Sequence, residues 1–204
     1  PVGQFYGYKV IGMFKEESDF YKKDADGNFQ LDEAGNRIRI AIPKGQQISK
    51  NGIWVGDYIY EDLHEDGVID EKDRTFLGNP APKFTFGFNN YFAYKGFDLN
   101  IFLNGSVGNK AVNLIRRTFT DPMRNSNLLK EATDIALIGM HDPEVGDEEL
   151  SNVYIVNADR AKVQRVTTSS ANDNNRISSR FIEDASYLRI KNISLGYTFP
   201  RKWL

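Results

Sequence analysis

The sequence predicts a mainly β fold, and three observations carry this prediction. The 204-residue chain contains 14 Phe and 10 Tyr, and they gather in short segments near residues 5–8, 84–97 and 187–199. In the last two segments large apolar side chains alternate with small or polar ones, which is the period of a β-strand. No run of about 18 apolar residues occurs, which excludes a transmembrane helix but leaves a membrane β-barrel open.

Composition excludes several classes of function. The 26 basic and 28 acidic side chains give a net charge of -2, whereas nucleic-acid-binding domains usually carry a basic excess. Cysteine is absent, so disulfides, thiolate metal sites and cysteine nucleophiles are excluded. The two histidines, His64 and His141, are too few for a His-rich metal site.

The first sixty residues predict short strands joined by polar turns. Residues 4–14 are aromatic and β-branched, and we expect a strand bulged at one of its glycines. Residues 21–37 contain two Gly turn signals, which fit a small hairpin or a long polar loop. Residues 38–42 and 53–60 then read as short strands.

Residues 84–104 predict a β-hairpin with one apolar face. A two-residue turn at Lys95-Gly96 divides the segment into two alternating runs. The face expected to be apolar carries Phe84, Phe86, Phe88, Phe92, Tyr94, Phe97, Leu99, Ile101 and Leu103. The opposite face carries small or polar side chains, with Phe102 as the exception.

Residues 187–199 repeat the alternation, and Pro200 ends the strand. Strict period-2 alternation puts Arg189 and Lys191 on the same face as Ile193. The apolar band is therefore expected to begin only near Ile193.

Two architectures explain the alternation. In a β-sandwich the apolar faces meet in a core. In a transmembrane barrel they face lipid, and small polar residues line the lumen. The small side chains of the second face favour a lumen or another protein surface over open water.

The segment between these strands, residues 107–185, is mostly polar. A helix is expected from about Asn127 to Ile138, with Ser126 as N-cap and Gly139 at its end. A loop of this length is usually functional or disordered. Long loops on one side and tight turns on the other are the layout of outer-membrane barrels.

Residues 62–73 form an acidic stretch with the spacing of a calcium loop. Oxygen ligands are expected from the side chains of Asp62, Asp66, Asp70 and Asp73 and the carbonyl of Val68, because calcium binds six to eight hard oxygens. Gly67 allows the sharp turn, and Ile69 would point inward. His64 at the third position is a poor calcium ligand, and Asp73 is shorter than the usual Glu. The alternative is an acidic turn in solvent.

No motif of an enzyme stands out. The chain lacks a nucleophile elbow, a P-loop and a dinucleotide fingerprint. Residues 105–110 contain Gly and Ser, but without the spacing of a serine-nucleophile motif or of a phosphate-binding motif. No pair of carboxylates stands out as a candidate acid and base. We therefore predict no catalytic residue. A looser acidic set at Asp24, Asp26 and Asp32 is read as turn residues.

Three segments together resemble the C-terminal region of SusC-like (SusC/RagA-type) TonB-dependent outer-membrane transporters. They are PVGQFYGYKVIGMF, GDYIYEDLHEDGVIDEKDRTFLGNPAPKFTFGFNNYFAYKGFDLNIFLNGSVGNK and RFIEDASYLRIKNISLGYTFPRKWL. The middle segment joins an acidic Asp-Gly loop, a Gly-Asn-Pro-x-Pro corner and an aromatic hairpin. In this family an Asn occupies the position of His64.

The resemblance implies that residues 1–204 are a C-terminal segment of a plugged barrel of roughly 22 strands. It would contain the EF-hand-like loop at 62–73, with calcium as a structural ion, and a long extracellular loop at 107–185. The whole protein would import glycans or peptides across the Gram-negative outer membrane. A SusD-like surface lipoprotein would capture ligand, and TonB would act through N-terminal parts that precede Pro1. Both ends of the chain look cut, so we expect a piece of a longer protein.

The resemblance also implies an orientation. The Lys95-Gly96 turn and Pro200 would lie on the periplasmic side, and residues 15–75 and 107–185 outside the cell. The alternative from another class is a soluble calcium-stabilised β-sandwich that binds glycans. It would pack Phe84, Phe86, Leu99 and Ile101 into a closed core.

Overall fold

A computed structural model describes residues 3–200 of the chain. The residues at the very ends, on which the expectation of cut ends depends, lie outside the described part. The strands are β1 Phe5–Tyr8, β2 Val10–Met13, β3 Ile42–Pro43, β4 Tyr58–Tyr60, β5 Val68–Ile69, β6 Arg74–Gly78, β7 Phe84–Tyr94, β8 Phe97–Val107, β9 Lys110–Val112, β10 Ile138–Met140, β11 Val153–Ile155, β12 Ile182–Asp184 and β13 Tyr187–Tyr197. Helix α1 spans Leu114–Phe119, and 3-10 helices span Glu17–Phe20, Glu71–Asp73, Lys130–Asp134, Leu150–Asn152 and Ser179–Phe181.

The chain divides into two compact units. We call residues 1–5, 78–112 and 182–204 the sheet unit, and residues 6–77 and 113–181 the loop unit. The mainly β fold predicted from the sequence is confirmed. No helix within residues 3–200 is long and apolar enough to cross a membrane.

The sheet unit is built on a three-stranded antiparallel sheet in the order β13-β8-β7. Strands β7 and β8 form the predicted hairpin, with Tyr94 opposite Phe97. Both turn residues have positive φ, 47° at Lys95 and 86° at Gly96. A two-residue turn of this kind matches the right-handed twist of the flanking strands, which explains the long unbroken register.

One face of this sheet is apolar across all three strands except at Asn90, which lies opposite Ile101. Residues directly opposite each other in an antiparallel pair share a face, and the pairing matches Phe88 with Leu103, and Leu99 with Leu195. Many of these side chains are exposed, Phe84 by 56% and Leu195 by 72%. The β-sandwich alternative required this face to enter a closed core, and none of its side chains belongs to the buried cluster of the chain.

A bulge in β13 corrects one sequence expectation. The register shifts between Ile190 and Asn192, so strict alternation does not hold across Lys191. Ile190 then pairs with Leu103, and Leu188 pairs with Gly105. The prediction that the apolar band begins near Ile193 is therefore wrong, because the bulge brings two more apolar residues onto that face.

The loop unit has a hydrophobic core of its own. Its strands form only two-stranded pairs: β1 with β6, β2 with β4, parallel β3 with β5, and β10 with β11. The core side chains include Phe14, Phe20, Ile53, Val55, Tyr58, Val153 and Ile155. Phe14 and Phe20 stack with ring centroids 4.0 Å apart. Apolar burial therefore organises segments whose polar composition indicated long loops.

Residues 21–39 form a small triangular ladder. The backbone amide of Lys22 donates to the carbonyl of Ile38, Ile38 donates to Gln30, and Gln30 donates to Lys22, at 2.8–2.9 Å. The carboxylates of Asp24 and Asp32 each accept amides of their own turn. The segment is thus more ordered than a long polar loop, and its acidic residues serve turns, as expected.

The helix predicted over residues 127–138 is wrong. The segment contains only the 3-10 helix Lys130–Asp134, without a side-chain cap. Its end is drawn into extended pairing, since the Ala136 amide donates to the Val163 carbonyl at 2.8 Å. These tertiary contacts outweigh the helical propensity of the segment. The short helix α1 was not predicted, and Asn113 caps it by accepting the Arg116 amide at 2.8 Å.

The predicted strands of the N-terminal half are present but shorter. Residues 4–14 give β1 and β2. The pairing of β2 with β4 shifts register between Val10 and Gly12, as the expected bulge requires. Residues 38–42 and 53–60 contribute only the two-residue β3 and three-residue β4. Gly7 is constrained by close packing, because a Cβ there would lie 2.5 Å from the carbonyl oxygen of Ile177.

Candidate functional site

The acidic segment 62–73 folds into a compact turn anchored by a buried residue. Gly67 has φ 81°, a left-handed conformation that glycine adopts without strain. Strand β5 follows directly and pairs in parallel with β3. Ile69 is 2% exposed, so it points into the core as the calcium-loop register predicts.

Three of the predicted ligands accept backbone amides of the same turn. The Asp62 Oδ2 atom accepts the Gly67 amide at 2.9 Å. The Asp66 Oδ1 atom accepts the Val68 amide at 3.2 Å. The Asp70 Oδ1 atom accepts the Lys72 amide at 2.8 Å. These three carboxylates therefore fold back onto the turn that carries them.

Asp73 is the most constrained acid of the turn. Its side chain is 1% exposed, and its two oxygens accept the amides of Leu63 at 3.0 Å and Asp70 at 2.8 Å. The bond to Asp70 completes a capping box on the 3-10 helix. Burial alone would raise the pKa of Asp73, but these amide bonds outweigh it and hold the pKa below its usual range.

The fit to calcium is partial. The Asp62 Oδ1 atom is buried and has no hydrogen-bond partner among the described residues, so one hard oxygen is available. His64 turns its half-exposed ring toward Asp73, with Nδ1 3.6 Å from Oδ1. Within residues 3–200, no three Asp, Glu or His side chains converge closely enough to hold a metal ion. Calcium binding at Asp62, Asp66, Val68, Asp70 and Asp73 stays a prediction.

A buried ion pair in the loop unit was not predicted from the sequence. Asp57 is 1% exposed and Arg165 is 5% exposed. The Arg165 guanidinium donates to both oxygens of Asp57, at 3.0 Å and 3.1 Å. It also donates to the carbonyls of Lys50 and Gly52, each at 2.9 Å. Five donors in a rigid fork suit this arrangement, which joins two segments 108 residues apart.

Asparagines extend this network to the backbone of β4. The Asn174 side chain donates to Asp57 Oδ1 at 2.8 Å and accepts the Tyr58 amide at 3.0 Å. Asn172 donates to the Tyr58 carbonyl at 2.9 Å. The available sequence signal was a single acid inside the apolar run 53–60. No spacing pattern pointed to Arg165 as its partner.

Comparison with known proteins identifies the family. No family model matches the chain. TonB-dependent receptor P3 of Formosa agariphila is 29% identical over 203 residues, covering 100% of this chain and 16% of the relative. TonB-dependent receptor P26 of the same organism is 32% identical over 147 residues, covering 72% of this chain and 13% of the relative. TonB-dependent receptor SusC of Bacteroides thetaiotaomicron is 23% identical over 195 residues, covering 92% of this chain and 17% of the relative.

The chain is a homologue of SusC-like TonB-dependent receptors.

The resemblance predicted from the three sequence segments is therefore confirmed. TonB-dependent receptors are outer-membrane proteins of Gram-negative bacteria, which also confirms the predicted localisation. These homologues are receptors and not enzymes, in agreement with the expectation of a non-catalytic protein. The chain spans less than a fifth of the length of these relatives.

Among solved structures, the RagAB peptide importer in its closed-closed state is similar to this chain. The TM-score is 0.46 and the sequence identity is 17%. The match covers 98% of this chain and 17% of that chain.

Proposed function

We propose that the receptor containing this chain imports glycans or other large nutrients across the outer membrane. Homology over the whole chain to TonB-dependent receptors, SusC among them, carries this proposal. TonB would act through parts of the receptor outside this chain. No group in the chain needs to make or break a covalent bond, because import requires binding, release and mechanical opening.

The sheet unit supports membrane insertion. Its apolar face is continuous over three long strands and exposed. Its other face carries Gly87, Asn100, Ser194 and Gly196 among its small or polar residues. An outer-membrane barrel places the first kind of face against lipid and the second in the lumen.

The loop unit supports a role in partner and ligand binding. Its own core and the Asp57–Arg165 pair give it the rigidity that a recognition surface needs. We place it, with the predicted loops 15–75 and 107–185, on the outside of the cell, where a SusD-like lipoprotein would sit over it.

A deletion strain tests the import proposal. Cells lacking the receptor gene are grown on a panel of single polysaccharides and on a peptide digest. We expect loss of growth on one of these sources, restored by the receptor gene and not restored in cells lacking TonB. Growth that is unchanged on every source the parent strain uses would overturn the proposal. Purification of the tagged receptor should recover a surface lipoprotein.

We also propose that the turn 62–73 takes up calcium as a structural ion. The buried, unpartnered Asp62 Oδ1 atom supports this, because a buried carboxylate oxygen without a partner is unfavourable. Asp62, Asp66, Asp70, Asp73 and the Val68 carbonyl would supply the oxygens. The rival account is that the amide bonds already described neutralise the turn without a metal.

Hydrogen exchange of the turn decides between these accounts. In the purified receptor, 1 mM calcium should slow exchange of residues 62–73 relative to EGTA, and Asp62→Asn should abolish the difference. The matched control is Asp26→Asn, in another acidic turn, which should leave the calcium effect intact. Equal exchange with calcium and with EGTA in the unsubstituted receptor would rule out the ion.

A further inference from the structure

The loop unit contains a cleft of a size suited to a small ligand group. Its volume is about 500 Å³, within the range of roughly 300–1,000 Å³ typical of ligand sites. Strands β2 and β4, helix α1 and the 3-10 helix Ser179–Phe181 contribute to its wall. Val10, Met13, Ala158 and Ala161 supply apolar surface.

The charged groups of this cleft are mainly cationic. Lys15, Arg116, Lys162 and Arg180 line it, against a single acid, Asp159. The Arg116 guanidinium is already paired with Glu131, at 2.6 Å, and the Lys162 ammonium lies 4.0 Å from the Asp134 carboxylate. The excess positive charge therefore comes from Lys15 and Arg180, and it favours an anionic group.

Arg180 is the cation least satisfied by the protein. Its Nη2 atom donates to the Thr120 hydroxyl at 3.1 Å, but its Nε atom is buried and has no hydrogen-bond partner among the described residues. The guanidinium lies over the rings of Tyr58 and Phe181, at 4.9 Å and 5.0 Å from their centroids. Burial lowers the pKa of Arg180, and the nearby Tyr58 and Glu131 side chains oppose this shift.

A second arginine fixes the position of Arg180. The Arg116 guanidinium donates to the Arg180 carbonyl oxygen at 2.9 Å, while its other nitrogens bind Glu131. The backbone of Arg180 is therefore anchored before any ligand arrives, and the Thr120 hydroxyl and the rings of Tyr58 and Phe181 position its guanidinium. Such preorganisation reduces the entropy lost on binding.

We propose that this cleft binds a carboxylate group of the imported ligand, with Arg180 as its main partner. A guanidinium that lines a cleft can donate charge-assisted hydrogen bonds to a carboxylate, which are among the stronger polar contacts in proteins. The proposal rests on the proposed import function and specifies the ligand as acidic. Two sources carry this chemistry, an acidic sugar and the C-terminal carboxylate of a peptide.

Calorimetric titration of the purified receptor distinguishes the two sources. One arm compares trigalacturonate with the neutral trisaccharide maltotriose. The other compares trialanine with its C-terminal amide. We expect the acidic member of one pair to bind at least about tenfold more tightly than its neutral partner, as a charge-assisted hydrogen bond implies.

Three substitutions test the role of the cleft. Arg180→Gln should weaken binding of the acidic probe about tenfold or more. Lys15→Gln, which removes a cation without a described side-chain partner, should weaken it about two- to fivefold. Asp159→Asn should strengthen it by a similar factor, because it removes the one acid of the cleft. Arg124→Gln lies outside the cleft and should change nothing.

The Asp159→Asn variant, which is expected to bind the acidic probe more tightly, keeps the test independent of folding. A misfolded Arg180→Gln receptor would bind weakly for a trivial reason, but Asp159→Asn cannot bind more tightly by misfolding. Equal affinity for the acidic and neutral members of both pairs would overturn the proposal, as would unchanged affinity in both Arg180→Gln and Asp159→Asn. Binding needs no TonB, so a receptor that binds carboxylates without supporting growth separates this proposal from the import function.

Discussion

At the scale of single residues, the Asp57–Arg165 pair is a fully buried polar link within the loop unit. Asp57→Ala leaves the Arg165 charge buried without its partner, so we expect the free energy of local unfolding to fall by about 3–5 kcal/mol. Hydrogen exchange of the Phe14 amide, which donates to the backbone carbonyl of residue 57 at 2.9 Å, measures this change in the purified receptor.

An exposed ion pair provides the control for that experiment. Lys9 and Glu61 lie 2.8 Å apart, with side chains 51% and 31% exposed. Lys9→Gln should lower the same free energy by less than about 1 kcal/mol, because water solvates both charges. Equal effects of Asp57→Ala and Lys9→Gln would show that the buried pair has no special weight.

Gly7 provides a second residue-scale prediction. A Cβ at this position would lie 2.5 Å from the Ile177 carbonyl oxygen and 2.9 Å from a Leu77 methyl group. Gly7→Ala should therefore destabilise the loop unit by about 1–3 kcal/mol through overpacking. Gly12→Ala is the matched control, since its nearest neighbour is at an ordinary 3.7 Å. Hydrogen exchange of the Tyr8 amide, which donates to the Ile177 carbonyl, measures the effect of both substitutions.

Asp73 makes the acidic turn sensitive to pH. Burial alone would raise its pKa in the folded state, but its amide hydrogen bonds outweigh burial and hold that pKa below its usual range. The stability that it contributes is therefore present above the unfolded-state pKa and is lost as the pH falls through the folded value. Protection of the Asp70 amide, corrected for intrinsic exchange, should be constant from pH 7 to 5 and decline below about 3.8. Asp73→Asn should give lower protection without this decline.

At the scale of secondary-structure elements, β13 carries the clearest contrast between two faces. Ile193 is 59% exposed on the apolar face and pairs with Ile101 near the middle of β8, and Ser194 is its neighbour on the other face. Because this position lies midway along the strands, Ile193→Arg should destabilise the membrane-inserted receptor by about 2–4 kcal/mol. Ser194→Arg, facing away from lipid, should have a clearly smaller effect.

Urea unfolding of the receptor in lipid vesicles measures both variants. Equal destabilisation by Ile193→Arg and Ser194→Arg would contradict the assignment of the apolar face to lipid.

The elements that the sequence predicted well are those whose pattern is local. The hairpin 84–104 follows from period-2 alternation and a two-residue turn, and its register agrees with the prediction at every pair from Tyr94 and Phe97 onward. The bulge at Lys191 was not predicted, because an alternating sequence contains no signal for one extra residue. The helix over 127–138 failed because pairing with Val163, distant in sequence, decides its conformation.

The candidate sites show the same division. The acidic turn was recognisable from spacing, including the glycine at 67 and the inward Ile69. The contacts of its carboxylates with amides were not, since backbone amides appear in no sequence pattern. Asp57 and Arg165 are 108 residues apart, and the arginines of the cleft come from separate segments. A single sequence cannot pair them.

At the scale of the whole molecule, the chain combines two kinds of β structure. The sheet unit has long strands, an exposed apolar face and tight turns. The loop unit has short paired strands, a core and buried polar links. The proposed import function assigns the sheet unit to the membrane and the loop unit to the binding of ligand and partner.

The central claim is that the sheet unit spans the outer membrane, with the Lys95-Gly96 turn on the periplasmic side and the loop unit on the outside of the cell. Cysteines introduced at Thr168 and at Lys95 of the receptor test it directly, since the chain has no natural cysteine. Intact cells are treated with a membrane-impermeant maleimide, and lysed cells serve as the control for reactivity. We expect Thr168→Cys to react in intact cells, and Lys95→Cys to react only after lysis. Labelling of Lys95→Cys in intact cells, with Thr168→Cys protected until lysis, would contradict the claim.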